Sequence, residues 1–410
     1  MALKKLNYID LFAGAGGLSE GFIRAGFNPI AHVEMDKYAC DTIKTRLAYH
    51  HLKIENKENI YKKYLLQEIN RDELYGMIPK SLLDTVINQE ISQKTIPGIF
   101  KRIDNILGKK KVDVIIGGPP CQAYSLIGRA RDPQSMEGDK RNFLYKYYAE
   151  FLKHYKPTYF VFENVTGLIT AKNYLDQMLE LFRSKNVGYN VDYRIIDASE
   201  HGVIQKRKRV IVIGKRNDFS FEYPQFARDF KLWCVKPDLF DDLPFLKPGD
   251  APAIIDYAKN PSSYLKNFGL RNGLPFVSQH ITRPHNERDL AIYKIAIKKW
   301  LQNNERLRYD ELPSELKTHQ KQDVFLDRFK VVNPHGCSHT MVAHIAKDGH
   351  YYIYPDLKQI RSISVREAAR IQSFPDDFFF EGGRSAAFKQ IGNAVPPLLA
   401  QSIAIKIKNI

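Results

Sequence analysis

Cys121 follows Gly117-Gly118-Pro119-Pro120, and these follow the apolar run Val112-Asp113-Val114-Ile115-Ile116. A run so rich in Val and Ile predicts a buried strand, ended abruptly by the glycines and prolines. A thiol at the first free position past such a strand stands where open α/β sheets keep their chemistry. As a thiolate it is a nucleophile; as a small buried thiol it only fills a turn. Three other groups could share a site with it. Glu163 lies near the end of the apolar strand Tyr159–Val165, where burial would let a carboxyl hold or donate a proton near neutral pH. Gln205-Lys206-Arg207-Lys208-Arg209 sets four consecutive cations against the strand Val210–Gly214, suited to phosphates or a base carbonyl. Ala13-Gly14-Ala15-Gly16-Gly17-Leu18 is a glycine-rich turn that lets backbone approach a ligand.

The elements that must position these groups alternate as strand and helix. A first strand is predicted over Asn7–Phe12, then the glycine turn, then a helix over Ser19–Ala25. Position 19 is serine, so the dinucleotide spacing GxGxxG is not met. A second strand, Pro29–Val33, ends at Glu34, an acid placed to accept from both hydroxyls of a ribose. Residues 41–111 read as two or three helices, with Gln67-Glu68-Ile69 as a short strand closing on an acid. Gly128–Asn142 is a basic loop with the character of a mobile lid. A helix over Phe143–His154 precedes the Glu163 strand, and a strand over Tyr193–Ala198 precedes the basic run.

From Asn217 prolines and aromatics are frequent and the alternation stops, which marks a second domain. It holds a helix over Arg288–Leu301, a polar helical stretch to Lys330, a strand over Cys337–Ile345 and a strand pair at Tyr351–Tyr354. Ser364–Ser373 is a helix whose Ser364 and Glu367 form a capping box. Gln390-Ile391-Gly392-Asn393-Ala394-Val395-Pro396-Pro397 opens a last helix to Ile410.

Composition narrows the class. The 410 residues allow two or three domains, and 44% hydrophobic with 26% charged residues is that of a globular protein. No apolar run is long enough for a transmembrane helix, and the N-terminus passes straight into a strand, leaving no room for a signal peptide. Cys40, Cys121, Cys234 and Cys337 form no CxxC pair, so a reducing cytoplasm is expected, without a disulfide framework or metal site. The net charge of +16 favours a polyanionic partner, most simply nucleic acid.

These blocks, in this order, resemble the DNA (cytosine-5)-methyltransferases of bacterial restriction–modification type. The matching pieces are Asp10–Leu18, Gly118-Pro119-Pro120-Cys121-Gln122, Glu163-Asn164-Val165, Gln205–Arg209, Arg366–Asp376 and Gly392–Pro396. They span nearly the whole chain. The departures are the long 41–111 segment and a large variable region. The resemblance implies an α/β fold, a doubly wound mixed sheet that binds S-adenosylmethionine, with a smaller irregular target-recognition domain. It implies a catalytic domain over 1–216, target recognition over 217–384, and a terminal helix, 385–410, returning to the first domain.

By the same resemblance Phe12 stacks on adenine, Glu34 binds the ribose and Glu68 the adenine amino group. The backbone of Ala13, Gly14, Gly16, Gly17 and Leu18 cradles the methionine moiety, with Met35, Pro119, Leu144 and Asn393 completing the cofactor site. Cys121 adds to C6 of a flipped cytosine, Glu163 grips N3 and the amine, Arg209 holds O2, and Arg207 supports the site or a phosphate. Gln122, Ser125, Arg141, Gln205 and Thr340 meet DNA. The implied partners are double-stranded DNA and a separate cognate endonuclease; no membrane, no metal and a monomer are expected. The competing readings are a tRNA-methylating branch of the family, a catalytically dead DNA-binding relative, and an oxidoreductase. The first lacks its Cys-Phe-Thr tripeptide here, since Cys337 is followed by Ser338 and His339. Intact Pro120-Cys121 and Glu163 oppose the second, and the absent GxGxxG opposes the third.

Overall fold

The computed structural model describes residues 5–120, 143–171, 173–229, 231–318 and 326–409. Its centre is a seven-stranded sheet. The strands are β1 (Asn7–Leu11), β2 (Asn28–Glu34), β3 (Val86–Asn88), β4 (Val114–Gly117), β5 (Tyr159–Val165), β6 (Tyr189–Asp197) and β7 (Lys208–Arg216), in spatial order β3-β2-β1-β4-β5-β7-β6. All pairings are parallel except those of β7, which runs antiparallel to β5 and β6. A buried parallel sheet needs helices on both faces. The helices of the first half are α1 (Gly17–Arg24), α2 (Lys37–Ile54), α3 (Glu58–Leu65), α4 (Arg71–Gly76), α5 (Lys80–Leu83), α6 (Ile96–Leu107), α7 (Leu144–Tyr155) and α8 (Tyr174–Arg183).

The period of two along β1 divides the core. Ile9 and Leu11 join one apolar layer with α6, α7 and α8, whereas Tyr8 joins the other with Phe22 of α1. The second layer also contains the chain's end. There α11 (Val365–Ile371), α12 (Arg384–Asn393) and α13 (Pro397–Lys408) pack, after the short α9 (Ser263–Asn267) and the long α10 (Glu287–Asn303) earlier in the chain. The terminal helix lies directly on α1. A Cβ on Gly21 would fall 2.4 Å from the Cβ of Ala400, so only glycine permits that backbone contact.

Past β7 the parallel alternation stops, as the sequence indicates. A small antiparallel pair, β8 (Ile254–Asp256) with β9 (Phe276–Ser278), stands apart from the main sheet. Helix α10 packs Ile292, Tyr293, Ala296 and Ile297 on Leu307, Phe329, Val331 and Ile353 in a core of its own. The strand expected over Cys337–Ile345 is instead one bridge, Gln205 to Ser338, followed by loop and a short helical turn over Ala343–Ala346. The strand pair expected at Tyr351–Tyr354 reduces to single bridges of Ile353 to Val331 and Ser362. Side-chain packing outweighs strand propensity there: Met341, Ile345, Tyr352 and Tyr354 are buried in the layer shared with α1 and α13, and Ile353 in the α10 core.

The Arg366–Asp376 block locks these parts together. Ser364 caps α11 and forms the expected capping box with Glu367. Glu367 also pairs with Arg361 at 2.8 Å, and both are buried. Arg366 spends its guanidinium on the carbonyls of Ser278, Pro375 and Phe378. Arg370, wholly buried, holds Asp376 at 2.6 Å and Asp242 on the other side. Removing one partner of a buried pair typically costs about 3–5 kcal/mol, because the other charge stays dry and unpaired. Asp242 keeps Arg271, and Asp376 keeps the Tyr257 hydroxyl. Arg370→Met should therefore lose stability near the lower end of that range. Urea unfolding would measure it, and a loss below about 1 kcal/mol would show that the network is dispensable.

Candidate active site

The chain winds from β1 outward through β2 and β3, then returns to place β4 on the other flank of β1. Such a reversal opens a crevice at the carboxyl ends of the two strands. The glycine turn leaves β1 there, and Gly118-Pro119-Pro120 leaves β4. Phe12, Gly14 and Gly16 all have positive φ, of 56°, 54° and 79°. Glycine takes that conformation freely, whereas Phe12 is held in it at a cost. Gly17 is a close-approach position, since a Cβ there would meet the Val395 carbonyl at 2.3 Å.

Glu34 fastens this turn from the end of β2. Its carboxylate accepts from Gly14 N at 2.8 Å, Met35 N at 2.9 Å and Asp36 N at 2.8 Å. Ala13, Gly14, Gly16, Gly17, Leu18 and Glu34 thus form one continuous rim. The Met35 side chain stands exposed beside it. Asn393 ends α12 close by, since Ala394 and Val395 touch Gly17. The same helix is tied to Asp36 through Lys389 at 2.8 Å. Pro119 is buried and Leu144 opens α7 half-buried.

One residue of this rim was not singled out from the sequence. Asp10 is 1% exposed, and neither carboxyl oxygen has a hydrogen-bond partner. Burial, with Glu34 nearby, pushes its acid well above the usual carboxylate range. Its neighbour across the ladder is His32, whose Nε2 meets Ser19 Oγ at 2.8 Å and whose Nδ1 is likewise unpartnered. The signal present in the sequence was an acid inside an apolar strand just before a glycine turn.

Across β4 lies the second half of the crevice. Gly117 pairs with Phe162, so Glu163 comes to rest beside Gly118. A Cβ on Gly118 would lie 2.9 Å from Glu163 Oε2, so the carboxylate rests on bare backbone. Arg209 reaches it from β7, Nε to Oε1 at 2.8 Å. Asn164 Nδ2 donates to the Pro119 carbonyl at 3.4 Å and stitches β5 to the turn before Cys121. Cys121, Gln122, Ser125 and Arg141, with all of the basic loop Gly128–Asn142, lie outside the described residues. The other thiols are poor nucleophiles: burial raises Cys40 to about 12 and also raises Cys234 and Cys337.

The basic run resolves by strand alternation, not as a uniform patch. Gln205, Arg207 and Arg209 point inward; Lys206 and Lys208 are exposed. Gln205 is 0% exposed and is consumed by Ile371 O, Gln372 Oε1 and Met341 N. Its side chain is therefore not free to meet DNA, contrary to expectation. Arg207 is buried too, and it donates to the carbonyls of Met341, Gly392 and Ala394. It holds the main chain on either side of Asn393, a positioning role and not contact with a reacting atom. Thr340 is partly exposed, with its hydroxyl donating to the Lys206 carbonyl. Glu68 is a second correction. It lies exposed in the turn after α3, and no strand forms there. The strand beside β2 is β3, whose Asn88 pairs with Glu34 and donates to the Glu34 and Met35 carbonyls. The short apolar stretch before Asn88 was hidden among helix-forming residues.

Comparison with known proteins decides the family. The family described as C-5 cytosine-specific DNA methylase matches residues 6–79 and 85–409. The chain belongs to it. The methyltransferase is 42% identical to the Type II methyltransferase M.Bpa9945I of Bacillus paralicheniformis, over 98% of each chain. It is 31% identical to the Type II methyltransferase M.DdeI of Desulfomicrobium norvegicum, over 98% of this chain and 88% of that one. Its fold is similar to that of Entamoeba histolytica methyltransferase EhMeth, with a TM-score of 0.55 at 14% identity over 99% and 98% of the two chains. A candidate DNA modification methyltransferase encoded within an E. coli prophage superposes with a TM-score of 0.64 at 24% identity, over 99% of both chains. The fold is thus the mixed α/β sheet of the S-adenosylmethionine-dependent methyltransferases, and use of that cofactor follows from the family. The rim fits such a ligand: a Cβ at Gly14 would meet nothing within 4 Å, so backbone is open there, and the unpartnered Asp10 oxygens suit a cationic group. Among the described residues no helix is long and apolar enough to cross a membrane.

Asp10 gives a test with a definite sign. Its folded acid lies above the unfolded value of about 3.9, so the folded state binds the proton more tightly. Stability is then lost as pH rises from about 4 through the folded value. Asp10→Asn should stabilise the cofactor-free enzyme at pH 8, by on the order of 1 kcal/mol, with the gain vanishing near pH 4. The same variant should bind S-adenosylmethionine more weakly. Thermal unfolding across pH and calorimetric titration would check both; a less stable variant at pH 8 would overturn the reading.

Proposed function

We propose that this enzyme methylates C5 of a cytosine turned out of a specific double-stranded DNA site, with Cys121 as its covalent nucleophile. The observation that carries the proposal is the Glu163–Arg209 pair. It rests against Gly118 at the end of the strand whose next turn leads to Cys121.

Cytosine C5 is too electron-poor to be alkylated directly. The Cys121 thiolate adds to C6, which makes C5 enamine-like and nucleophilic. Glu163 holds N3 and the exocyclic amine and supplies the proton that favours addition. Arg209 keeps that carboxylate aligned and has donors left for O2 of the base. When bound, S-adenosylmethionine supplies an electrophilic methyl group. Loss of the C5 proton then allows Cys121 to leave as thiolate and restores the aromatic ring. The cofactor would be held by Phe12, the Ala13–Leu18 backbone, Glu34, Met35, Pro119, Leu144 and Asn393, with Asp10 toward its cationic part. Turning the base out costs a few kcal/mol, which interactions of Gln122, Ser125, Arg141 and Thr340 with the strand would offset.

The catalytic part is read as residues 1–216 with the terminal helix 385–410 returning to it, and target recognition as 217–384. The separate core of Ile292, Tyr293, Ala296 and Ile297 with Leu307, Phe329, Val331 and Ile353 supports a distinct unit within 217–384, although Val365–Ile371 packs in the sheet's own layer. The relatives are Type II methyltransferases, which supports protection of bacterial DNA against a separate endonuclease as the biological role. The same reading makes the enzyme a monomer acting on nucleoid DNA in the cytoplasm.

Bisulfite sequencing of DNA from cells expressing the protein should reveal one recurrent sequence in which a cytosine resists deamination. Random or absent protection would remove the specific-site reading. Glu163→Gln should slow methylation by about 10² to 10⁴-fold while leaving S-adenosylmethionine affinity intact. A parallel collapse of cofactor binding would make Glu163 a cofactor residue instead.

A further inference from the structure

We infer that the edge of the sheet opposite the active site is a second binding surface for duplex DNA. The inference rests on DNA being this family's substrate and concerns a face outside the cleft.

The amino ends of the strands carry an array of unpaired cations. Lys5 precedes β1, Lys109 and Lys110 precede β4, Lys156 precedes β5 and Lys185 precedes β6. Lys408, at the end of α13, reaches the same edge beside β2, donating to the Ala25 carbonyl at 2.9 Å. All six are exposed, and none has an ion-pair partner among the described residues. Hydrogen bonds tie neighbouring strand ends together at this edge. Asn7 donates to the Lys111 carbonyl at 2.9 Å, and Arg216 to the Lys156 carbonyl at 2.9 Å. Three acids beside them are already committed: Asp113 is buried and paired with Lys111, Asp218 is paired with Arg216, and Asp104 meets His154 Nε2 at 3.2 Å.

From β2 to β6 there are five strand intervals, or about 24 Å at 4.8 Å each. That length of duplex carries about fourteen phosphates, enough to meet every lysine in the array. The charge is therefore placed for an extended polyanion and not for a single anion. It also lies far from the crevice, since the seven residues of β5 alone span about 23 Å. DNA is stiff over about 150 base pairs, so the duplex in the cleft cannot curl back to this edge. The occupant is a second duplex segment, captured while the first is engaged. Such a surface would hand the enzyme from one segment to another without full release.

The test counts duplexes per enzyme at low salt, using a duplex bearing the mapped target site and too short to touch both edges. The full-length wild type should bind two. Lys109→Glu/Lys110→Glu/Lys156→Glu/Lys185→Glu should bind one, with methylation of that duplex and thermal stability unchanged. Lys109→Gln/Lys110→Gln should reduce the salt slope of the second binding step by about 0.9 for each phosphate no longer neutralised. A wild type that binds only one duplex, or a quadruple variant that still binds two, overturns the inference. So does a quadruple variant that loses single-stranded RNA but keeps the second duplex. A wild type that binds two duplexes and methylates neither would refute the methyl-transfer reading and leave this surface standing.

Discussion

The buried guanidinium of Arg207 is the interaction on which the cleft depends. It leaves the sheet at the start of β7 and donates to main-chain carbonyls from two distant parts of the chain, Met341 and the Gly392–Ala394 turn. A charge that deep is tolerated only when hydrogen bonds replace its water. The carbonyls that replace it are those that hold Asn393 near the glycine turn and Thr340 near Lys206. One cation thus registers the start of β7, the loop at Met341 and the turn that packs on Gly17 to one another. Gln205, two residues earlier, does the same with uncharged bonds to Met341 and Gln372. The basic run therefore serves two ends. Its inward residues build the site, and its outward lysines face solvent where phosphates would pass.

This division explains what the sequence could and could not convey. Strands β1, β2, β4, β5 and β7 were legible because long apolar runs ended in glycine, proline or acid. The capping box at Ser364 and Glu367 was legible because its two members are local. The fate of Arg207 and Gln205 was not, since their partners lie more than a hundred residues away. Glu68 was misplaced for a related reason. The strand it was given to exists, but at Val86–Asn88, where three residues in a helical neighbourhood carry too little periodicity to read. Asp10 was visible as an acid and invisible as an orphan, because the absence of a partner is a property of packing.

The two halves of the crevice differ in electrostatic design. Around Glu163 the charges are matched, with carboxylate and guanidinium in contact and backbone glycine beneath them. Around Asp10 they are unmatched, and the buried acid is held above its ordinary range. A site that binds a cation gains from leaving such a group uncompensated until the ligand arrives, at the expense of stability without it. Stability is recovered elsewhere in matched networks: Arg46 of α2 joins Glu20 of α1 to Asp377, while Arg361 holds Glu367 and Arg370 joins Asp376 to Asp242.

The chemistry stands or falls on the covalent role of Cys121. Fluorine at C5 of the target cytosine cannot leave as a proton does, so a 5-fluorocytosine duplex should arrest the enzyme after addition. The result predicted is a protein–DNA species that survives denaturing electrophoresis, requires S-adenosylmethionine, maps by peptide mass to Cys121 and is lost in Cys121→Ser. An adduct on Cys40, Cys234 or Cys337, or full methylation by Cys121→Ser, would contradict it.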